Sequence, residues 1–412
     1  MDFANLKIIG FLFLIIQTFH VNCTATEEST TTPPATQEND SELLIEEKIL
    51  RVGAERTTLY WPKLTGKRLG LVVNPSSRIY EQHLVDALSK RDLTIQRIFS
   101  PEHGFRGTAD AGEKVQDGRD PKTGIEVRSL YGRSRKPARS DLADLDLIVF
   151  DLQDVGVRFY TYIATLHHVM SAAAEAGVPV MVLDRPNPNG HYVDGPVMEA
   201  AHTGFLGMHA GVPLVHGMTV GEYARMMNEE GWLDGGRRAT LEVIKVDAWN
   251  HDQPYSLPVR PSPNLPNDRS IELYPSLGLF EGTTINAGRG TEMQFQVFGS
   301  PRFDPQEFPF RYTPAPNFGS KDPKHKGAQV YGRDLRSGDR PNRIELSYLM
   351  EAYRQYGSGS DFFKDKSFTA HAGTEQLRQQ LEAGTSEAAI RASWQEGLDR
   401  FRAIRAKYLL YE

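Results

Sequence analysis

The sequence predicts an α/β fold: a parallel sheet with helices on its faces, followed by a smaller C-terminal α+β domain. Three observations carry this. Between about residues 66 and 250, short apolar runs alternate with segments of helical spacing, the pattern of strand–helix–strand units. Leu147–Phe150 is continuously apolar, as a strand buried on both faces must be. After about residue 255 prolines crowd and the alternation stops. A chain of 412 residues has room for two to three domains at about 150 residues each.

The elements follow in order. Leu69–Val73 reads as a short buried strand, Tyr80–Lys90 as a helix, and Thr94–Phe99 and Leu145–Phe150 as the next strands. Ile163, Leu166, His167, Met170, Ala173 and Ala174 recur at helical spacing. Val178–Leu183 is the next strand, Val220–Glu229 a helix with Thr219 as its N-cap, and Leu241–Val246 a strand. Glu345–Tyr356 and Glu387–Tyr408 read as helices of the second domain. The expected division is a catalytic domain over 49–254 and a C-terminal domain over 255–412.

Residues 1–25 have the layout of a secretory signal peptide: Lys7, nine apolar residues at 8–16, then the small residues Cys23 and Ala25. The run is too short to span a bilayer, which takes about 20 apolar residues. The expectation is therefore an extracellular protein without stable membrane insertion. Residues 26–48, rich in Thr, Pro and acids, read as a disordered tether. Residues 49–412 carry 45 charges of each sign, so nothing in the charge balance points to nucleic acid. The single cysteine excludes a disulfide scaffold and a Cys-based metal site.

Ligands of open α/β sheets bind beyond the carboxyl ends of the strands. Four strand ends here carry stiff polar loops: Asn74-Pro-Ser-Ser, Pro101-Glu102-His103-Gly-Phe-Arg106-Gly, Asp151-Leu-Gln153-Asp154-Val-Gly-Val-Arg158-Phe-Tyr160-Thr-Tyr162, and Asp184-Arg185-Pro-Asn187-Pro. No dinucleotide glycine pattern, Walker loop, His-Glu-x-x-His or Gly-x-Ser-x-Gly elbow is present. What remains is acid–base chemistry by carboxylates, as in glycoside hydrolysis. Each residue has a plainer reading. Glu102 could cap a helix, His103 could be a structural donor, Asp154 a turn former, Arg158 an ion-pair partner, and Tyr160 and Tyr162 core aromatics. Asp184 and Arg185 could be a local pair. Later in the chain, His216-Gly-Met-Thr, Pro261-Ser-Pro-Asn264-Leu-Pro, Leu279-Phe-Glu281-Gly-Thr and Gly288-Arg289-Gly-Thr-Glu292 have the same character. Glycines on both sides of Arg289 would let the backbone approach a ligand, and an arginine so placed suits a carboxylate. A solvated arginine in a Gly-rich turn is the plainer reading.

These motifs, in this order from about residue 60 to the C-terminus, resemble the NamZ-type exo-β-N-acetylmuramidases. The resemblance implies a Rossmann-like catalytic domain, a smaller C-terminal domain and an active site in the cleft between them. It implies release of N-acetylmuramic acid from the non-reducing ends of peptidoglycan-derived saccharides or muropeptides, with no cofactor or metal. It puts the leading catalytic glutamate at Glu102. The expectation is that Glu102 is the general acid, oriented by His103 or a tyrosine. Asp154 comes ahead of Glu281 and Glu292 as the second carboxylate. Arg289, with Arg158 or Arg106 as rivals, would take the lactyl carboxylate. Asn74, Gln153, Arg106, Arg158, Tyr160, Tyr162, Asp184, Arg185, Asn187, His216, Asn264, Glu281, Arg289 and Glu292 are the candidate substrate-binding residues. Two segments depart from the family wording, Asn189-Gly190-His191 and Thr284-Ile285-Asn286-Ala287, and they put substrate range in question more than reaction class. The rival readings are a non-catalytic muropeptide receptor, a hexosaminidase acting on N-acetylglucosamine ends and, weakened by the missing phosphate loop, a nucleotide-dependent transferase.

Overall fold

Residues 49–102, 104–106, 117–132, 134–357 and 361–411 are described by a computed structural model. The expected signal peptide, the tether up to residue 48 and His103 lie outside them. Chain order begins with α1 (Thr57–Leu64), β1 (Leu69–Val73), a hairpin of β2 (Arg78–Ile79) and β3 (Gln82–His83), α2 (Leu84–Ser89) and β4 (Ile95–Ser100). It continues with β5 (Gly118–Arg119), β6 (Glu126–Ser129), α3 (Arg139–Leu142), β7 (Leu147–Asp151), α4 (Tyr162–Ala176) and β8 (Val180–Leu183). Next come β9 (Asp194–Val197), β10 (Pro213–Val215), α5 (Val220–Glu229) and β11 (Leu241–Ile244).

Seven strands form one sheet in the order β11-β8-β7-β1-β4-β6-β5. All pair in parallel except the short edge strand β5. Without β5, the strands run spatially as third, second, first, fourth, fifth and sixth. That is the doubly wound Rossmann order, in which the direction of winding reverses between the first and fourth strands. Period-two alternation divides the side chains between two cores. Leu71, Val73, Leu147, Val149 and Ile98 meet Tyr60 and Leu64 of α1 and Leu84 and Leu88 of α2. Val72, Phe99, Ile148 and Phe150 meet Leu166 and Met170 of α4 and Tyr223 and Met227 of α5. The continuous apolar run in β7 is thus explained: both of its faces are covered.

Several expected boundaries moved by one to four residues, and two of the shifts have a visible cause. The helix expected from Tyr80 begins at Leu84, because Tyr80 turns the β2–β3 hairpin at φ +49°. The strand expected from Leu145 begins at Leu147, because the Leu145 N–H still closes the turn onto Leu142. The second half contains α6 (Asp268–Leu277), a 3-10 turn at Gly278–Gly282, and an antiparallel sheet of β12 (Val297–Ser300), β13 (Phe310–Tyr312) and β14 (Val330–Asp334). Helices α7 (Leu346–Tyr356), α8 (Asp365–Ala372), α9 (Gln376–Glu382) and α10 (Glu387–Arg405) complete it. Residues 48–412 pack as one compact unit. The larger core runs without a break from Val72 in the sheet to Phe401 in α10. Among the described residues no helix is long and apolar enough to cross a membrane.

Candidate active site

The reversal between β1 and β7 opens a crevice at their carboxyl ends, and buried polar contacts brace it. The Asn74 amide donates to the Tyr162 hydroxyl at 2.8 Å, and the Asn74 carbonyl oxygen of the side chain receives the Ser76 N–H at 2.9 Å. Asp151 at the end of β7 takes a two-pronged contact from Arg185 after β8, at 2.6 and 3.0 Å. Both partners are buried, so the pair fixes the spacing of two strand ends. The Gln153 amide bridges the carbonyls of Asp154 and Pro186. Asn187 donates to the Met218 carbonyl. Asp184 receives the Thr219 hydroxyl, the Gly221 N–H and the Tyr411 hydroxyl at 2.6–2.7 Å. It thereby joins the end of β8 to the start of α5 and to the C-terminal tail.

A cavity of about 350 Å³ opens above this frame. Glu102, on the turn that follows β4, lines it. The Thr161 hydroxyl donates to Glu102 Oε2 at 2.9 Å, and the Tyr131 phenol lines the same cavity close enough to feel that carboxyl. Burial and the Glu102 charge push the Tyr131 phenol well above its usual range, so it stays a donor. Phe159, Tyr160, Tyr274, Phe295, Phe205, Leu206 and Leu265 give the walls an aromatic and apolar character. Tyr160 is held by its hydroxyl on the Pro261 carbonyl at 2.5 Å. Burial, then the charges of Glu281 and Glu102, raise the Tyr274 phenol. Tyr274 therefore feels both carboxylates.

The second half supplies the opposite wall. Glu281, in the 3-10 turn after α6, receives Arg289 Nη1 at 2.6 Å. Burial raises its carboxyl, but Arg289, Lys324 and His371 outweigh burial and hold it below the usual carboxylate range. Lys324 donates to the carbonyls of Phe280 and Ile285 at 2.7 and 3.2 Å; burial lowers its ammonium to about 8, with Glu281 opposing. His371 Nδ1 donates to the Ser367 carbonyl at 2.7 Å. Burial lowers its pKa. The Asn264 amide donates to the Gly319 carbonyl at 2.8 Å, while its Oδ1 is buried with no partner among the described residues. Glycine is required beside Arg289 for packing: at φ +77° a Cβ on Gly288 would stand 2.3 Å from the Met293 carbonyl oxygen.

Of the residues singled out in the sequence, Glu102, Tyr160, Asn264, Glu281 and Arg289 meet in this cavity. Asp154 does not line it. It is buried; its Oδ2 receives the Gly156 N–H at 2.7 Å and faces His216 Nε2 at 3.7 Å, and its charge reaches the Tyr160 phenol. Arg158 is no ion-pair partner: its guanidinium donates to the carbonyls of Pro196, Val212, His371 and Ala372. Arg106 is bound by Asp86 and Asp120. Glu292 is exposed and outside the lining. Asn74, Gln153, Tyr162, Asp184, Arg185, Asn187 and His216 are buried in the frame. Sequence reasoning passed over Tyr131, Arg135, Phe205 and His371. Tyr131 follows a strand end as the recognised motifs do, and that position was the available signal. Among the described residues no group of three or more His, Cys, Asp or Glu side chains could hold a metal ion.

Two family models match the chain. The N-terminal model of exo-beta-N-acetylmuramidase NamZ covers residues 69–269 and the C-terminal model covers 272–411. The peptidoglycan beta-N-acetylmuramidase NamZ of Bacillus subtilis (strain 168) is 39% identical, covering 85% of this chain and 89% of that protein. Two crystal structures of DUF1343 family proteins from Bacteroides fragilis NCTC 9343 share the fold. One has a TM-score of 0.81 at 38% identity and the other 0.76 at 27%, each covering 88% of this chain and 99% of its own.

Proposed function

The chain belongs to the exo-β-N-acetylmuramidase NamZ family of glycoside hydrolases, and from that premise we propose that it releases N-acetylmuramic acid from the non-reducing ends of peptidoglycan fragments, with Glu102 as general acid. The observation that carries this is the shared cavity: Glu102 and Glu281 line one aromatic-walled space of about 350 Å³. Glu102 gives its proton to the leaving glycosidic oxygen while that bond to the anomeric carbon breaks, and water supplies the new hydroxyl. Thr161 and Tyr131 orient the carboxyl. Hydroxyls suit this task, because they can donate to the carboxylate and rotate to accept from the acid. Glu281, kept anionic by its cations, faces the positive charge that develops at the anomeric centre. It replaces Asp154 in this role, because Asp154 is buried and does not line the cavity. The open Oδ1 of Asn264 suits a substrate N–H or hydroxyl, and the aromatic rings suit the apolar face of a sugar.

The test is release of N-acetylmuramic acid from the disaccharide MurNAc-β-1,4-GlcNAc, with chitobiose as control. Release from the disaccharide alone is expected. Tight binding without turnover would replace the enzyme reading with a receptor, and release from chitobiose would overturn the substrate. The apolar run at 8–16 supports export of the chain. N-terminal sequencing of protein from the culture medium should then start just after Cys23 or Ala25, and recovery only inside cells would contradict it.

A further inference from the structure

A muramic acid end differs from a glucosamine end by its lactyl ether, which carries a carboxylate. A site selective for it needs a cation in the cavity wall that the protein has not itself used. Four cations fail this condition. Arg289 gives Nη1 to Glu281 at 2.6 Å and Nη2 to the Gly319 carbonyl at 3.2 Å, so its charge is already paired and only its buried Nε is left without a partner. Arg158 spends its guanidinium on four backbone carbonyls. Arg106 is saturated by Asp86 and Asp120 and lies outside the lining. Lys324 is spent on the carbonyls around Glu281.

Arg135 meets the condition. It lines the same cavity as Glu102, and among the described residues no carboxylate pairs with it. Its guanidinium carbon stands 3.8 Å over the Phe205 ring. That ring is itself braced, stacked on His168 at 6.4 Å with 15° between planes and tilted against Tyr131 at 6.2 Å. Stacking uses one face of the guanidinium and leaves its in-plane N–H edges open, the geometry that takes a carboxylate with two parallel hydrogen bonds. Arg135, Tyr131 and Glu102 line the cavity together, and the Tyr131 phenol feels both charges, so the cation and the acid border one substrate. Resting on the muramidase reading above, we infer that Arg135, stacked on Phe205 at the wall of the Glu102 cavity, binds the lactyl carboxylate and sets the preference for muramic acid.

Calorimetry on the full chain tests this with two probes: N-acetylmuramic acid, and its methyl ester, which has lost the charge. Wild type should bind the acid about 10- to 100-fold more tightly than the ester, the scale of a charge-assisted pair. Arg135→Gln should abolish that ratio, and Arg135→Lys should keep part of it, having the charge without the fork. Arg135 is exposed and makes no hydrogen bond to a described residue, so both variants should keep the wild-type thermal midpoint. A full ratio in Arg135→Gln would overturn the inference while leaving the muramidase reading intact. A wild type that binds neither probe and cleaves no muramic acid glycoside would overturn that reading, and the inference with it.

Discussion

A carboxyl that gives up a proton and takes it back needs neighbours that tolerate both states. Glu102 has them in Thr161 and Tyr131. Tyr131→Phe removes one of the two, and kcat should fall by roughly 10-fold, the worth of one hydrogen bond to a charged group. KM should move little; a change confined to KM would make Tyr131 a binding residue instead. Lys324 gives a second prediction. Its ammonium, lowered to about 8, holds the turn that carries Glu281, so kcat should decline as pH rises through about 8. Lys324→Arg, whose charge persists, should carry that limb to higher pH, and an unmoved limb would assign it to another group. The place of Glu102 at the cavity was legible because its loop follows a strand end directly, while its rank ahead of the other carboxylates came from the family resemblance. Arg289 was legible as a carboxylate binder, but its carboxylate is Glu281 of the chain itself, a pairing that spacing alone does not reveal. His371 was not legible: it sits in α8, far along the chain, and only folding brings it to the cavity.

The element that locks the sheet to the tail is the contact between Asp184 and Tyr411. The Tyr411 hydroxyl accepts the Val246 N–H at 3.0 Å and donates to Asp184 at 2.6 Å. Tyr411→Phe strands a buried N–H and should cost about 1–3 kcal/mol in unfolding free energy; an unchanged denaturation midpoint would show that the tail is not anchored there. Burial raises the Asp184 carboxyl to about 6, against the hydrogen bonds it receives. A folded pKa above the unfolded value means that the native state binds the proton more tightly. The stability contributed by protonated Asp184 is therefore present below about pH 4 and is lost as pH rises through about 6. The free-energy difference between Asp184→Asn and wild type should shift across that window, by an amount on the order of 3 kcal/mol. A flat difference would contradict it. Helix Val220–Glu229 could be read to its ends, because Thr219 and Glu222 form a capping box at its start. Strands β6 and β14 could not, because Glu126–Ser129 and Val330–Asp334 are half-polar and too short for a period to stand out.

Across the whole molecule, the order of the main sheet places the ends of β1, β4 and β7 at one crevice. The sequence signalled the strands and their polar ends, but not the three-stranded sheet β12–β14–β13 or the wall that the second half adds. Arg158 links the halves, reaching from the loop after β7 to the carbonyls that end α8. Arg158→Met should lower stability by on the order of 3 kcal/mol, because it leaves buried carbonyls unsatisfied, and denaturant titration would show the loss. The central claim is that Glu102 protonates the leaving group inside this cavity. Its most direct test is the kcat of Glu102→Gln on two muramic acid glycosides, the disaccharide with a sugar leaving group and an aryl glycoside with nitrophenolate. The sugar needs the proton and nitrophenolate does not. Cleavage of the disaccharide should fall by about 10²–10⁴-fold, while cleavage of the aryl glycoside falls far less. Equal losses on both substrates, or no loss on either, would contradict the assignment.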